Sequence, residues 1–414
     1  MSAGQQVATG AAAVGRPLIL ILVCGCLISL LTFGLRSSFG LFTDPISTSH
    51  GWSREVFALA MAIQNLGWGI AQPLGGALAD RYGPARVLAG GGVLYALGVA
   101  LMASSTTPGA LHLSAGVLVG VGMGGASYIT VLAALGKVVP PEQRSWALGL
   151  GTAAGSLGQF LLVPLGQAFI TTYGWQVTAL LLAGSAAAVP LLAAAFAGAR
   201  PAPATDAEPD LGFAQTLRAA FGHRSYLLLL TGFFVCGFQL AFVTIHLPPF
   251  LSDRGIDVSL AAWAIALIGL FNVAGAYLAG ILGERHSNKL LLCAIYVGRA
   301  AVTALFMMLP MTPASVLLFA AAMGLLWLSA VPPTSGLVAL MFGTRYMATL
   351  FGIVFLNHQL GSFVGVWLGG WLYERTGSYD FVWWLSVLLS LAAALVHLPI
   401  REQPAPRFAT LGAR

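Results

Sequence analysis

Apolar runs long enough to cross a membrane follow one another along this chain almost without pause, and that pattern constrains the fold more than any single residue does. An α-helix needs about 20 residues to cross hydrocarbon. Hydropathy marks twelve such runs, at about 18–42, 54–78, 86–105, 110–137, 145–171, 176–198, 226–251, 259–282, 289–309, 313–341, 347–373 and 380–399. Only 8% of residues are charged and 58% are hydrophobic, whereas a soluble domain carries about 25% charged residues. The pattern therefore predicts an all-α membrane protein of twelve transmembrane helices, helix 1 to helix 12 in chain order. The 51 glycines suit close helix approach in lipid. Residues 1–16 read as a small, polar tail, and the first run is too long, without a cleavage context, for a removable signal peptide.

A polar stretch from Gly198 to Arg224, carrying Asp206, Glu208 and Asp210, splits the runs six and six. The predicted organisation is a tail at 1–16, a six-helix bundle at 17–198, a linker at 199–224, a second bundle at 225–400 and a tail at 401–414. Phe213 to Arg218 reads as a short surface helix within the linker. The halves repeat: Gly76, Leu78, Asp80 and Arg81 correspond, 204 positions on, to Gly280, Leu282, Glu284 and Arg285. Gly51 corresponds to Gly255 at the same offset. Leu157, Gly158, Leu165, Gly166 and Gly174 correspond, one position short of it, to Leu360, Gly361, Leu368, Gly369 and Gly377. A run of matches at nearly constant offset implies two related, pseudo-symmetric halves, as in transporters built from repeats. Of the 19 Lys and Arg, fourteen fall in segments on the side of the termini. Arg54, Arg254 and Arg375 fall on the other side, and Arg36 and Arg299 lie inside spans. That bias places both termini in the cytoplasm. The net charge of +6 follows from it and calls for no nucleic-acid partner. Cys24, Cys26, Cys236 and Cys293 all lie in apolar runs and read as buried thiols rather than disulfides or metal ligands.

The gap between helices 2 and 3 is Gly75-Gly76-Ala77-Leu78-Ala79-Asp80-Arg81-Tyr82-Gly83-Pro84-Ala85-Arg86. An acid, two arginines and a Gly-Pro pair cannot lie in hydrocarbon, so a plain charged turn would satisfy the spacing. The stretch also resembles the signature loop of the major facilitator superfamily, Gly-x-Leu-Ala-Asp-Arg-x-Gly-x-(Arg/Lys). Gly76, Leu78, Asp80, Arg81 and Gly83 match, and Arg86 supplies the late base one place further on. In that family the loop is cytoplasmic and its charges hold the inward gate. The resemblance implies gate roles for Asp80, Arg81 and Arg86, for Arg144 in the next loop on that side, and for Glu284 and Arg285 in the second copy. That copy is degenerate, with Ser287 in place of Gly83.

An ionisable residue inside a span costs about 2.5 kcal/mol or more and is a functional candidate by default. Arg36 (helix 1), His246 (helix 7), Arg299 (helix 9) and His358 (helix 11) qualify, and no acid occupies the middle of a span. Fixed positive charge without a compensating acid should attract an anion. Arginine's planar fork suits a carboxylate best. Gln239, Val243 and His246 share one face of helix 7 by i, i+4, i+7 spacing, which predicts a lined surface. Each histidine can equally glue helices together by hydrogen bonds. For Arg299, a buried partner such as Tyr277 or Asn272 competes with a functional role.

Three stretches resemble the monocarboxylate-porter branch: Phe33 to Ile46, the loop following Pro140-Pro141-Glu142-Gln143-Arg144, and the glycine-rich start of helix 5 from Ala147 to Ser156. In that branch a lysine on helix 1 takes part in proton and substrate binding, and Arg36 falls at the matching position. The branch also has an Asp and, four residues on, an Arg on helix 8, where this chain has Asn272 and Ala276. Proton-coupled lactate-type transport is therefore not carried over intact. By analogy with the fold, Tyr128 on helix 4 and Trp327 on helix 10 line the cavity. The predicted substrate-binding set is Arg36, Tyr128, Gln239, His246, Asn272, Trp327, Asn357, His358 and Gln359, with His358 and His246 carrying the proton.

These readings predict a monomeric secondary transporter of small organic anions, monocarboxylates first, in a bacterial inner membrane, with proton symport as the coupling. An anion exchanger without proton coupling is the first alternative. A multidrug exporter of the same fold is the second, against which stand the missing intramembrane acid and the isolated Pro164 in helix 5, which lacks the antiporter Gly-Pro-x-x-Gly-Gly ending. With no phosphate-binding glycine loop, metal-ligand cluster or nucleophile–base pair in the sequence, no enzyme, cofactor or metal is expected.

Overall fold

The computed structural model describes residues 17–139, 141–198, 213–343 and 347–405. Ten segments are long and apolar enough to cross a membrane. One of these, Trp146–Phe196, is two spans joined at a turn, and the more polar helix Arg54–Tyr82 completes the twelve. Helix 1 is Leu18–Ser37, and its chain continues through a 3-10 turn into a short helix, Thr43–His50. Helix 2 is Arg54–Tyr82 and helix 3 is Pro84–Ala103. Helix 4 is broken, with its last pieces at Val119–Ala126 and Tyr128–Val138. Helices 5 and 6 lie within Pro141–Ala186, which turns at Gly174, and helix 6 runs on into Ala188–Ala193. After the linker helix Phe213–Phe221 come helix 7 (Arg224–Asp253), helix 8 (Val258–Arg285) and helix 9 (Asn288–Met308). Helix 10 is broken into Pro313–Leu326 and Val331–Phe342. Helix 11 is Met347–Thr376 and helix 12 is Asp380–His397.

The sequence repeat reappears as repeated geometry. Gly51 and its counterpart Gly255 have φ of 65° and 75°, and Gly174 and its counterpart Gly377 have 80° and 68°. Each turns the chain at the end of a helix in the left-handed region, where a Cβ is costly. At the degenerate position, Gly83 (φ 87°) is replaced by Ser287. Ser287 turns the chain with ordinary φ and caps helix 9, accepting from the Leu290 N–H at 3.3 Å.

Packing repeats too. A Cβ on Gly158 of helix 5 would fall on the carbonyl of Leu30 in helix 1. A Cβ on the counterpart Gly361 of helix 11 would fall on the carbonyl of Phe234, the residue of helix 7 that matches Leu30 in the repeat. Helix 1 thus sits backbone to backbone on helix 5, and helix 7 on helix 11, a close approach that small residues allow in lipid. Between the halves, helix 2 packs on helix 11 and helix 5 on helix 8. Gly69 meets Gln359, Gly370 meets Ala58, and Gln159 Nε2 donates to the Ile265 carbonyl at 2.7 Å.

The predicted spans at 110–137 and 313–341 are not continuous helices. Helix 4 breaks at Ser127 (ψ 161°), whose hydroxyl accepts weakly from the Thr130 N–H and donates to Gln72 Oε1 at 2.8 Å. Helix 10 breaks between Leu326 and Val331. A break at this depth survives only where side chains satisfy the freed backbone groups, and those side chains lead to the functional region.

Candidate functional site

Arg36 stands near the end of helix 1, where helices 2, 4 and 11 converge. Its Nη2 donates to Asn65 Oδ1 at 2.8 Å, and its guanidinium lies 5.1 Å from the centre of the Trp68 ring. Its buried Nε has no partner. Asn65 is held in turn, donating to the Met61 carbonyl at 2.8 Å. Trp68 Nε1 donates to Gln72 Oε1 at 2.8 Å, and Gln72 reaches Ser127 and Thr130 at the break of helix 4. Tyr128, the first residue beyond the break, packs edge-on against Phe33, 5.3 Å away and one helical turn before Arg36. Across the interface between the halves, Phe355 of helix 11 meets Trp68 edge-on at 5.1 Å. His358 stacks on Phe355 at 5.9 Å and 9°. Its Nδ1 is 3.0 Å from Gln359 Oε1, an oxygen that also accepts from Ser362. The amide nitrogen of Gln359 is buried without a partner.

The structure therefore brings Arg36, Tyr128, His358 and Gln359 into one region where the halves meet. A second group surrounds the break in helix 10. Asn272 Oδ1 accepts from the Leu328 N–H and its Nδ2 donates to Ser156 of helix 5, both at 2.9 Å. Trp327 is buried at the break itself. Arg299 holds the same break from the other side through the Leu326 and Trp327 carbonyls. Of the two partners offered for Arg299 from sequence, Tyr277 is 70% exposed and Asn272 is committed to Leu328 and Ser156.

The remaining residues of the predicted set lie in seams within the second half. Gln239 donates to the Ser386 carbonyl of helix 12 at 3.1 Å. His246 is fully buried, with Nε2 2.8 Å from the Val366 carbonyl of helix 11 and its ring against Phe242 and Tyr379. Asn357 donates to the Leu230 carbonyl of helix 7 at 2.6 Å. The helix 7 face read from its spacing is thus covered by helices 11 and 12.

The gate predicted on the side of the termini looks different. Arg81, Arg86, Glu284 and Arg285 are exposed and form no ion pair among the described residues, while the side chains of Asp80 and Arg144 lie outside the described set. The opposite face carries a network that the sequence reading did not single out. Arg54, at the start of helix 2, reaches Asp44 at 2.8 Å and forks onto Asp253 of the second half at 2.6 and 2.7 Å. Its backbone N–H donates to Glu374 at 2.8 Å, and its guanidinium lies 4.5 Å from the Tyr373 ring. Arg375 approaches Glu55 at 4.0 Å, again between the halves, and Arg254 pairs with Asp380. The signal was available: three bases sit on that side, and each has an acid beside it in the fold. Asn65 and Trp68 were also missed. A search confined to ionisable residues passes over an amide and an indole in the middle of an apolar helix.

Two helical bundles clasped by ions at one face, with an unpaired guanidinium between them at depth, are built to pass a solute across a membrane, and the molecule is a multi-pass transporter. The sequence model of the Major Facilitator Superfamily matches residues 25–366, and the chain belongs to that superfamily. Monocarboxylate transporter 13 of Rattus norvegicus is 27% identical over 385 residues, covering 90% of this chain and 86% of the relative. Monocarboxylate transporter 11 of Homo sapiens is 27% identical over 385 residues, covering 89% and 79%. An uncharacterised transporter of this superfamily from Bacillus subtilis, YcxA, is 24% identical over 382 residues, covering 88% and 90%. Among solved structures, the xylose transporter XylE from E. coli in its inward open conformation superposes with a TM-score of 0.73 at 16% identity, over 95% of this chain and 99% of that one. A bacterial homologue of the human lysosomal transporter Spinster gives 0.68 at 15% identity, over 92% and 95%. At such identities the likeness is one of fold.

Proposed function

We propose that the chain is a monomeric carrier of small organic anions, monocarboxylates foremost, working by alternating access with proton symport in a bacterial inner membrane, both termini cytoplasmic. The observation that carries this reading is Arg36. A half-buried guanidinium among spans, with one neutral amide partner and a buried, unpartnered Nε, has unused donors and uncompensated charge. A carboxylate would satisfy both through a fork of parallel bonds. The monocarboxylate transporters among its relatives point to the same substrate class. Trp68, Phe355 and Tyr128 would enclose the carbon skeleton of the anion. With cytoplasmic termini, the Arg54 network closes the outer face and the structure is the inward-facing state.

Arg36→Ala should leave the protein inserted and folded while removing a carboxylate contact of about 1.5–3 kcal/mol, roughly tenfold to a hundredfold in affinity. Thermal-shift titration of the purified protein with a panel of monocarboxylates reads this, because a ligand stabilises with the logarithm of its saturation. Equal monocarboxylate affinity in wild type and Arg36→Ala would overturn the assignment.

A further inference from the structure

The second half contains a buried cation with no carboxylate. Arg299 is 0% exposed and forms no ion pair among the described residues. Its Nε and Nη2 donate to the Leu326 carbonyl at 3.1 and 2.8 Å, and Nη2 also to that of Trp327 at 2.5 Å. These carbonyls end the first piece of helix 10, where a helix carries roughly half a negative charge. The remaining nitrogen, Nη1, donates to Cys236 Sγ, 3.3 Å away on helix 7. A guanidinium can only donate, so the sulfur is the acceptor. Cys236 is also fully buried, and the His358 ring of helix 11 lies against Phe233, about one helical turn before Cys236, with ring centres 5.1 Å apart. Helices 7 and 11 touch at this level, where a Cβ on Gly237 would fall on the His358 carbonyl.

The internal repeat supplies a comparison within the molecule. At the 204-residue offset, Arg299 corresponds to Tyr95 and Cys236 to Thr32. In the first half that pair is neutral, the Tyr95 hydroxyl donating to the Thr32 carbonyl at 3.3 Å. The second half has replaced it with a permanent cation facing a small buried side chain that can become an anion by losing a proton.

We infer that Cys236 is the proton-binding site of this carrier: its Sγ is a thiolate paired with Arg299 when unloaded, and a thiol, protonated through His358, when loaded. The inference rests on the anion-carrier reading only for what the proton accompanies. In the loading step a proton arriving from the cavity binds a ring nitrogen of His358. That N–H bond then breaks as the S–H bond forms on Cys236, leaving His358 neutral. Gln359 Oε1, accepting from Nδ1–H, would hold the ring during the transfer. Unloading reverses the same bonds.

The titratable groups around the sulfur are Arg299 and Tyr296 from helix 9, His358 from helix 11 and Tyr128 from helix 4 across the interface. Helix 10 offers only carbonyls, and helix 12 contributes His397 one layer further out, stacked on Tyr296 at 5.1 Å. No acid faces the site among the described residues. Protonating the thiolate therefore leaves Arg299 uncompensated and raises the positive potential of the cavity that holds Arg36. An anion arriving there favours the proton in turn, which is the reciprocity that symport requires.

The test compares the wild type with Cys236→Ser, which keeps the size and hydrogen-bonding capacity but not the acidity. Should serine fail to fold, Cys236→Thr adopts the residue of the first half. The ultraviolet absorbance of the thiolate, followed on acidification of purified protein from neutral pH, should show one thiolate in the wild type that the variant lacks. In proteoliposomes with L-lactate as the probe, the ratio of pH-gradient-driven uptake to counterflow should fall about tenfold or more in the variant, the weight of about 1.4 kcal/mol of lost coupling. Identical absorbance curves or an unchanged ratio would overturn the assignment of Cys236. Absence of any monocarboxylate counterflow in the wild type would instead count against the anion reading, while the absorbance titration, which uses no substrate, still decides the thiol.

Discussion

The Arg54–Asp253 fork should hold the face opposite the termini closed by a measurable amount. Two charge-assisted bonds at 2.6 and 2.7 Å join the halves, with side chains 14% and 32% exposed. A hydrogen bond to a charged group contributes about 1.5–3 kcal/mol when shielded, whereas fully exposed pairs contribute about 0–1 kcal/mol. Partial exposure of the acid brings the fork to about 1.5–2.5 kcal/mol, or about tenfold to seventyfold in the ratio of closed to open molecules. Asp44 and the Tyr373 ring hold the guanidinium in place, so truncating Arg54 also costs those contacts. The clean quantity is the coupling in a double-mutant cycle of Arg54→Gln and Asp253→Asn. Spin labels at Thr48 and Thr376, both exposed on that face, report the populations as a distance distribution. Each single variant should enrich the longer distance, and the double variant should add little to either. If the two effects simply add, with coupling under about 0.3 kcal/mol, the fork does not latch the halves and the reasoning fails.

Asn272→Ala should lower the melting temperature by the cost of a stranded N–H on Leu328, about 1–3 kcal/mol, because no other side chain among the described residues reaches that donor; an unchanged melting temperature in detergent would show that the break closes on itself. His223, in the turn before helix 7 with its ring edge-on to Phe342 at 5.7 Å, has its protonation disfavoured by burial, which holds its pKa below the ordinary value. A histidine whose folded pKa is depressed contributes stability above its unfolded pKa, near 6.5, and loses it progressively as pH falls through that value toward the folded one. Melting curves between about pH 7 and pH 5 should therefore fall less steeply for His223→Gln than for the wild type, and parallel curves would remove His223 as a source of acid sensitivity.

Much of the architecture was legible because its causes are local or periodic. Span length follows from hydrocarbon thickness, and the repeat follows from glycines that serve the same turn twice, as Gly174 and Gly377 do. The breaks in helices 4 and 10 were missed because hydropathy does not register them: Ser127 and Pro332-Pro333 sit in runs as apolar as any other. What sustains them lies far away in sequence, as with Asn272 and Leu328. Arg36 could be singled out because a lone charge in an apolar run stands out, whereas its neighbours Asn65, Trp68 and Phe355 are ordinary residues made significant by convergence. The face of helix 7 shows the limit of periodicity. The spacing of Gln239 and His246 identifies a shared side, but only packing shows that helices 11 and 12 cover it.

The carbonyl-on-glycine contacts at Leu30–Gly158 and Phe234–Gly361 have a mechanical outcome. Where two backbones touch there is no side chain to yield, so each pair of helices turns as one stiff rod and cannot splay halfway. A rocking motion that parts the rods at one face must then bring them together at the other. Under the alternating access proposed above, the molecule would act as a changeover switch with no position that connects both terminals, so that concentration differences across the membrane would not be short-circuited.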